Sequence, residues 1–294
     1  MRRVIPPLGV ITAAGLGLRM ADHAVHGCKE LITIAGRSML LRTIDELRSA
    51  GITDIVVVTS PTKPGIAEHL EHAGDMERGD VRLVEQPTPR GLVDAVSIAV
   101  AASTTSPDPA AAAHGGSGNL HAAVLVAFPD ILFKGHPNPT AALLEAALHG
   151  DSESDSPISA VTVVRPRGEW GKLLSDSGRI DSPHSGEAGG EWLVRGIARK
   201  RKGEPFPLDS GAWKITGRAI WTVEFWRAKE RIEAADGWDE GEMSDAAVLR
   251  LLAADGLLRS VPIEAACLDI GTPAGLAHAR ALLRDPTPLT TEEE

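Results

Sequence analysis

Short apolar runs and helically spaced apolar positions alternate along most of the chain. Val10-Ile11-Thr12 is a β-branched run that reads as a buried strand. Residues 38–50 follow as a helix, with Ser38 as its cap and Gly51 placed to end it; Leu40, Leu41, Ile44 and Leu47 share one face. Ile55-Val56-Val57-Val58-Thr59 is continuously apolar, the pattern of a strand covered on both faces. The spacing then predicts a helix over 62–73, a strand over 81–84 and a helix over 91–102. A strand over 122–127 and a helix over 141–149 continue the series. Such alternation argues for a parallel α/β sheet with right-handed crossovers.

Two segments interrupt the pattern. Residues 103–120, rich in Ser, Pro, Ala and Gly, lack apolar periodicity and read as a flexible surface insertion rather than a linker. Residues 151–157 are a polar loop. Beyond 158, strand-like pieces at 160–164, 171–174 and 193–197 are separated by turn-rich stretches, the texture of a more antiparallel region laid against the sheet. Helices over 223–235 and 244–254, a strand over 257–263 and a helix from Thr272-Pro273 to about Leu283 complete the series. Residues 285–294 read as an acidic tail. The expected organisation is one domain over 1–284, with halves at 1–150 and 151–284.

Composition narrows the partners. A formal net charge of −10 over 294 residues argues against a broad nucleic-acid surface. No window approaches the roughly 20 apolar residues of a membrane span, so no membrane partner is expected. Cys28 and Cys267 make neither a disulfide framework nor a zinc site, and read as small buried thiols of a cytoplasmic protein. The apolar faces of the late helices fit either core packing or a homo-oligomer contact.

The chemistry-bearing stretch follows the first strand. Ala13-Ala14-Gly15-Leu16-Gly17-Leu18-Arg19-Met20 lets the backbone turn and present several N–H groups, and Lys29 follows. By itself this is either a polyphosphate cradle or a strand-to-loop turn with two solvated charges. A P-loop would need Gly-Lys-Ser/Thr after Gly17, and a dinucleotide fingerprint a third small residue where Met20 stands; both fail.

The G-x-G-x-R-M loop with Lys29-Glu30-Leu31 resembles the sugar-1-phosphate nucleotidyltransferases. Further matches follow in order. Residues 86–92, QPTPRGL, look like the base-recognition segment of glucose-1-phosphate thymidylyltransferases. Residues 128–133, FPDILF, resemble the strand end that holds a metal-binding aspartate, and residues 241–245, GEMSD, a segment before the late helix. Residues 267–273, CLDIGTP, match the late W-L-D-x-G-T-P segment. The resemblance covers most of residues 8–284. It implies a Rossmann-like, mostly parallel mixed sheet flanked by helices, the nucleotide-diphospho-sugar transferase fold, with a smaller antiparallel sugar-binding region.

It also implies roles. Ala14, Gly15 and Gly17 would hold a nucleoside triphosphate, with Arg19 and Lys29 offsetting charge on the α-phosphoryl group during attack. Gln86 and Gly91 would read a pyrimidine edge, and Asp130 and Asp269 would share one Mg²⁺. Gly171 would contact the sugar, and Lys200 would face the sugar 1-phosphate. Arg199 and Lys202 are rivals for that last role, and the family's neighbouring glutamate is missing. Leu18 stands where the family carries Thr or Ser. The expected reaction joins dTTP or UTP to glucose 1-phosphate and releases pyrophosphate. The alternatives are a mannose-1-phosphate guanylyltransferase, a cytidylyltransferase, or a non-catalytic nucleotide-sugar binding protein.

Overall fold

The computed structural model describes residues 7–103, 123–135, 138–148, 158–174, 178–180, 193–198, 205–238 and 242–283. The proposed insertion (apart from Ser103), the polar loop, the acidic tail and Lys200 with its rivals Arg199 and Lys202 lie outside them. The first half runs β1 (Leu8–Thr12), β2 (Thr33–Ile34), β3 (Arg37–Ser38), α1 (Met39–Ser49), β4 (Ile55–Thr59) and α2 (Gly65–His72). It continues with β5 (Val81–Glu85), α3 (Leu92–Ser103), β6 (Val124–Ala127), β7 (Ile131–Lys134) and α4 (Pro139–Leu148). The second half holds β8 (Ser159–Val164), α5 (Gly168–Lys172), β9 (Arg179–Ile180), β10 (Trp213–Trp221) and α6 (Val223–Ala234). It ends with α7 (Asp245–Ala254), β11 (Leu258–Pro262), β12 (Ala266–Asp269) and α8 (Pro273–Leu283).

An eight-stranded sheet runs in the order β11-β8-β10-β6-β1-β4-β5, with β9 on β10. Strands β6, β1, β4 and β5 are mutually parallel, as are β8 and β11, while β10 runs antiparallel to β6 and β8. Two small antiparallel sheets, β2–β3 and β7–β12, stand outside it. The architecture is thus the mostly parallel mixed sheet the motifs imply.

Strand alternation divides the core in two. Ile11, Ile55, Val57 and Leu125 point to the side covered by Leu40, Ile44 and Leu47 of α1, Ile66 and Leu70 of α2, and Leu143 of α4. Val10, Val56, Val58, Val124 and Val126 point to the other, under Val93 and Val96 of α3, Phe225 of α6 and Leu252 of α7. Five consecutive buried residues in β4 are what two covered faces require. The Ser38 side chain accepts a hydrogen bond from the Leu41 amide at 3.3 Å, capping α1 as expected, and Gly51 beyond its end has φ +86°.

Several expectations are corrected. Residues 171–174 are not a strand: Gly171 closes the helical turn α5, where a Cβ would meet Leu208 Cδ2 at 2.8 Å. Its backbone bonds are local, Gly171 N–H to the Arg167 carbonyl and Leu174 N–H to Gly171, so no ladder is needed. Residues 193–197 form one isolated bridge, Leu193 to Arg259, rather than a strand. The helix expected from 62 begins at Gly65, because residues 60–63 close a turn in which the Lys63 amide bonds the Ser60 carbonyl at 3.0 Å. The piece at 160–164 is β8, a strand of the main sheet itself, antiparallel to β10 and parallel to β11.

The strand β10 escaped the sequence pattern because Gly217 and Arg218 interrupt it. Gly217 is demanded by close packing: a Cβ there would meet Ile131 Cγ1 at 2.7 Å and Phe128 Cβ at 3.0 Å. The register shifts between Ile215 and Ala219 at the same place.

The start of α7 gives a pH-dependent prediction. Burial pushes the carboxyl of Asp245 up to about 6, against the lowering effect of backbone N–H groups at Asp245 and Ala246. Its native pKa thus lies above the unfolded value of about 3.9. The native state therefore holds the proton more tightly, and stability falls as pH rises between those two values. Asp245→Asn is expected to stabilise the protein by about 1–3 kcal/mol at pH 8. The gain should shrink towards zero at pH 4. Urea unfolding at both pH values checks this; a pH-independent difference would contradict it.

Candidate active site

The carboxyl ends of β1, β4, β5 and β6 lie together on one edge of the sheet. The chain leaves β1 towards β4 and β5 on one side, while β6 lies on the other, so the crevice at β1 is a topological switch point. The glycine loop begins there. Ala13 and Ala14 are buried, whereas Gly15, Leu16, Leu18 and Arg19 are exposed. Gly17 has φ +65°, and the six residues from Leu18 to His23 form a 3-10 turn. Leu18 is 78% exposed, a large apolar side chain offered to solvent in the loop itself.

One anchor holds this exposed loop. Met20, next to Arg19, is buried in a third core with Ile32, Ile34, Leu132 of β7, Leu268 of β12, Ile270 just after it, and Leu276 of α8. The loop is therefore packed against the two strands that carry the candidate aspartates.

Those strands bring Asp130 and Asp269 together. In the antiparallel β7–β12 ladder Asp269 pairs with Ile131, and the Ile270 amide donates to the Asp130 carbonyl at 2.9 Å. Asp130 thus sits beside the end of β12. Both carboxylates border Gly271: a Cβ there would meet Asp130 Oδ2 at 2.9 Å and Asp269 Oδ1 at 3.0 Å. The Gly271 amide donates to Asp269 Oδ1 at 2.9 Å. Thr272 starts α8 as expected, its Oγ1 accepting from the Gly275 amide at 3.1 Å.

Lys29 joins this pair. Its Nζ donates to Asp130 Oδ2, and its stem lies against the glycine loop, 3.5 Å from where a Gly17 Cβ would stand. Burial works against the Lys29 ammonium, but the charge and hydrogen bond of Asp130 outweigh it, so its pKa is raised. Burial also raises the Asp269 carboxyl, as does neighbouring Asp130, with Gly271, Arg19 and Lys29 pulling the other way. Two carboxylates, one ammonium and a guanidinium thus meet at the edge of the glycine loop. Hard oxygens converging from two strands fit a hard divalent cation. Among the described residues no group of three or more His, Cys, Asp or Glu side chains gathers as a metal-holding cluster, so phosphate or water oxygens would have to complete the shell.

Beneath the loop lies a pair that no pattern in the sequence announces. Glu30 and Lys63 are 1% and 3% exposed, and Lys63 Nζ lies 3.0 Å from both Glu30 oxygens. The same ammonium donates to the Ala13 carbonyl at 2.8 Å. One buried lysine therefore ties the end of β1, the turn carrying Lys29 and the segment after β4. A second pair supports Asp130. Arg218, 1% exposed, makes two 2.8 Å bonds to the Glu46 carboxylate of α1 and donates to the Phe128 carbonyl at 3.0 Å. For Arg218 a signal existed: a charge inside an apolar strand stretch implies a buried partner. For Lys63, in a turn, none did.

The candidate base segment follows β5. Gln86 is buried, and its Nε2 donates to the Gly91 carbonyl at 3.1 Å and to Asp94 Oδ2 at 2.7 Å. Gly91, at φ +119°, faces the Met243 backbone, whose carbonyl oxygen would be 2.7 Å from an added Cβ. Only glycine fits there. Gly171 lies on α5, which packs against β12, the strand that ends in Asp269.

A glycine loop after the first strand of a mostly parallel sheet, faced by cations and paired carboxylates, defines an α/β protein built to handle nucleotide phosphates. The chain belongs to the MobA-like NTP transferase domain family, which it matches over residues 9–175; it is a nucleotidyltransferase. It is 26% identical over 248 residues to UTP-glucose-1-phosphate uridylyltransferase of Escherichia coli K12, covering 81% of this chain and 77% of that protein. The Klebsiella pneumoniae enzyme of the same name is 27% identical over 247 residues, covering 81% and 79%. A UDP-glucose pyrophosphorylase from Acinetobacter baumannii superposes with a TM-score of 0.65 at 19% identity, covering 96% and 95% of the two chains. Another UDP-glucose pyrophosphorylase, solved with UDP-glucose, gives 0.66 at 16% identity, with 95% and 98% covered. At such identities the solved structures speak for the fold alone. Among the described residues no helix is long and apolar enough to cross a membrane.

Proposed function

We propose that the enzyme transfers a uridylyl or thymidylyl group from UTP or dTTP to glucose 1-phosphate, giving the nucleotide sugar and pyrophosphate. The observation that carries this is the assembly of Lys29, Asp130 and Asp269 at the glycine loop, on the edge where the parallel strands end. A sugar-phosphate oxygen attacks the α-phosphorus in line, so no side-chain nucleophile is needed. The loop amides at Ala14, Gly15 and Gly17, with Arg19 and Lys29, hold the triphosphate and offset the charge that grows on the transferred phosphoryl group. Asp130 and Asp269 would hold Mg²⁺, which when bound neutralises phosphate charge.

We assign the nucleotide to the half within 1–150, with Gln86 and Gly91 at its base. The sugar 1-phosphate belongs to the half within 151–284, with Gly171 at the sugar and Lys200 at its phosphate. Two free, buried thiols, Cys28 and Cys267, suit a cytoplasmic setting.

The test is pyrophosphate release with Mg²⁺, crossing UTP, dTTP, GTP, CTP and ATP with glucose and mannose 1-phosphates. Release is expected with UTP or dTTP and glucose 1-phosphate, and should require both substrates. GTP with mannose 1-phosphate would point to the guanylyltransferase reading and CTP to a cytidylyltransferase. One observation favours a second reading, a nucleotide-sugar binding protein without turnover: exposed Leu18 supplies no hydroxyl to the loop. Nucleotide binding with silence across the grid would favour it.

A further inference from the structure

The Gln86 amide is held unusually firmly for a group assigned to base recognition. Both Nε2 hydrogens are used, one on the Gly91 carbonyl at 3.1 Å and one on Asp94 Oδ2 at 2.7 Å. Each of those oxygens is an acceptor with no hydrogen to give. Asp94 is itself fixed: it is 5% exposed on the first turn of α3, and its other oxygen accepts from the Arg90 guanidinium at 2.6 Å. Turning the Gln86 amide over would point its carbonyl oxygen at a buried carboxylate and at a second carbonyl, with no hydrogen between them. Such an arrangement leaves buried acceptors unpaired and repelling. The orientation of this amide is therefore set by its partners. Among the described residues no hydrogen bond ends on Gln86 Oε1, which is the one polar atom of the amide left to a ligand.

The placement suits a base. Gln86 directly follows β5, its backbone N–H bonding the Thr59 carbonyl at 2.8 Å, and β4 separates it from β1 and the glycine loop. Two strand spacings are about 10 Å, a span that one nucleoside bridges between its phosphates and its base edge.

We propose that Asp94 determines which pyrimidine the enzyme takes: together with the Gly91 carbonyl it turns both amide hydrogens of Gln86 inward and leaves only Oε1 to meet the base. An acceptor there matches the N3–H of a uracil or thymine ring and opposes the bare N3 of cytosine. Asp94 is a positioning residue; it acts through Gln86 and does not touch the nucleotide. The inference rests on the reading of residues 86–91 as the base site and goes one step further, naming the residue that sets the choice.

The test measures UTP and CTP affinities by calorimetry with Mg²⁺, for the wild type and Asp94→Asn. The asparagine keeps the shape but can present an N–H to a turned amide, so the opposition from residue 94 is removed and only the Gly91 carbonyl still holds the amide in place. The wild type is expected to favour UTP by about tenfold or more, one hydrogen bond against one clash. Asp94→Asn should narrow that ratio severalfold with an unchanged melting temperature, mainly by gaining CTP affinity. Should the asparagine variant fail to fold, Asp94→Ser makes the same comparison, since its hydroxyl both donates and accepts. Equal loss for both nucleotides with the ratio intact would overturn the proposal, and so would a wild type that does not prefer UTP. Because binding is read rather than turnover, a ratio that shifts without any pyrophosphate release would sink the transferase reading while leaving this one standing.

Discussion

Replacing Lys29 with methionine is expected to lower the rate of pyrophosphate release about 10³-fold, by analogy with the loss of one donor at a developing anion. Methionine keeps the apolar stem that lies against Gly17 and removes only the ammonium. The charge matters because it stands between the loop and the two carboxylates. Without it Asp130 loses its hydrogen-bond partner beside Asp269, and the triphosphate meets a more negative site. The effect should fall mainly on kcat, since in the proposed binding mode Arg19 and the loop amides would still hold substrate in its ground state. Burial lowers the Lys29 pKa but Asp130 and its neighbours raise it more, so the wild type should show no loss of activity from deprotonation of this group across the neutral range. Retention of a third or more of the wild-type rate would remove Lys29 from the mechanism.

Lys63→Met should be the most damaging of the single substitutions considered for stability, at about 3–5 kcal/mol in urea unfolding. It leaves Glu30 buried without its countercharge and the Ala13 carbonyl without its donor. Burial already raises the Glu30 carboxyl despite Lys63 beside it. With the lysine gone that pKa rises further, so the deficit should shrink as pH falls and Glu30 takes up a proton in the native state. Pairing Lys63→Met with Glu30→Leu should recover most of the loss, because a buried ion pair exchanged for packed apolar groups is close to neutral. A double variant as unstable as the single one would show that the Ala13 bond, not the ion pair, carries the effect. If the stable double variant is also slow, the pair positions the loop as well as filling the space under it.

The supporting structure around Asp130 explains why the site tolerates so much local charge. Arg218 holds the Phe128 carbonyl from below, and Glu46, whose pKa is lowered by Arg218 against the opposing effect of burial, fixes that guanidinium from α1. The turn that presents Asp130 is therefore tied to a helix on one face of the sheet. The loop that presents Arg19 is tied through Met20 to the same small core. Each candidate group is supported by an element other than its own, which is how a site on strand ends keeps its geometry.

By itself, the sequence determined the local elements and the chemistry they carry. The run of Ile55, three valines and Thr59 in β4 reads as a strand covered twice, and Ser38 with Gly51 bounded α1 because caps and turns depend on residues a few positions apart. The glycine loop, Lys29, Gln86 and the two aspartates stood out as candidates for a different reason: their spacing and order resemble a family's motifs, although periodicity says nothing about them. What stayed hidden was whatever depends on residues distant in the chain. Strand β10 was masked by Gly217, whose lack of a side chain makes sense only against Ile131 and Phe128. Residues 171–174 pattern as a strand, yet Gly171 completes a helical turn under Leu208. The union of Asp130 with Asp269 needs the β7–β12 ladder, and the pairing of Glu30 with Lys63 and of Gln86 with Asp94 needs burial to bring them together. Local propensity is written in neighbours. Pairing of buried charges is decided only when the folded chain excludes water from both partners at once, and that is where the tertiary structure, rather than the sequence, set this site.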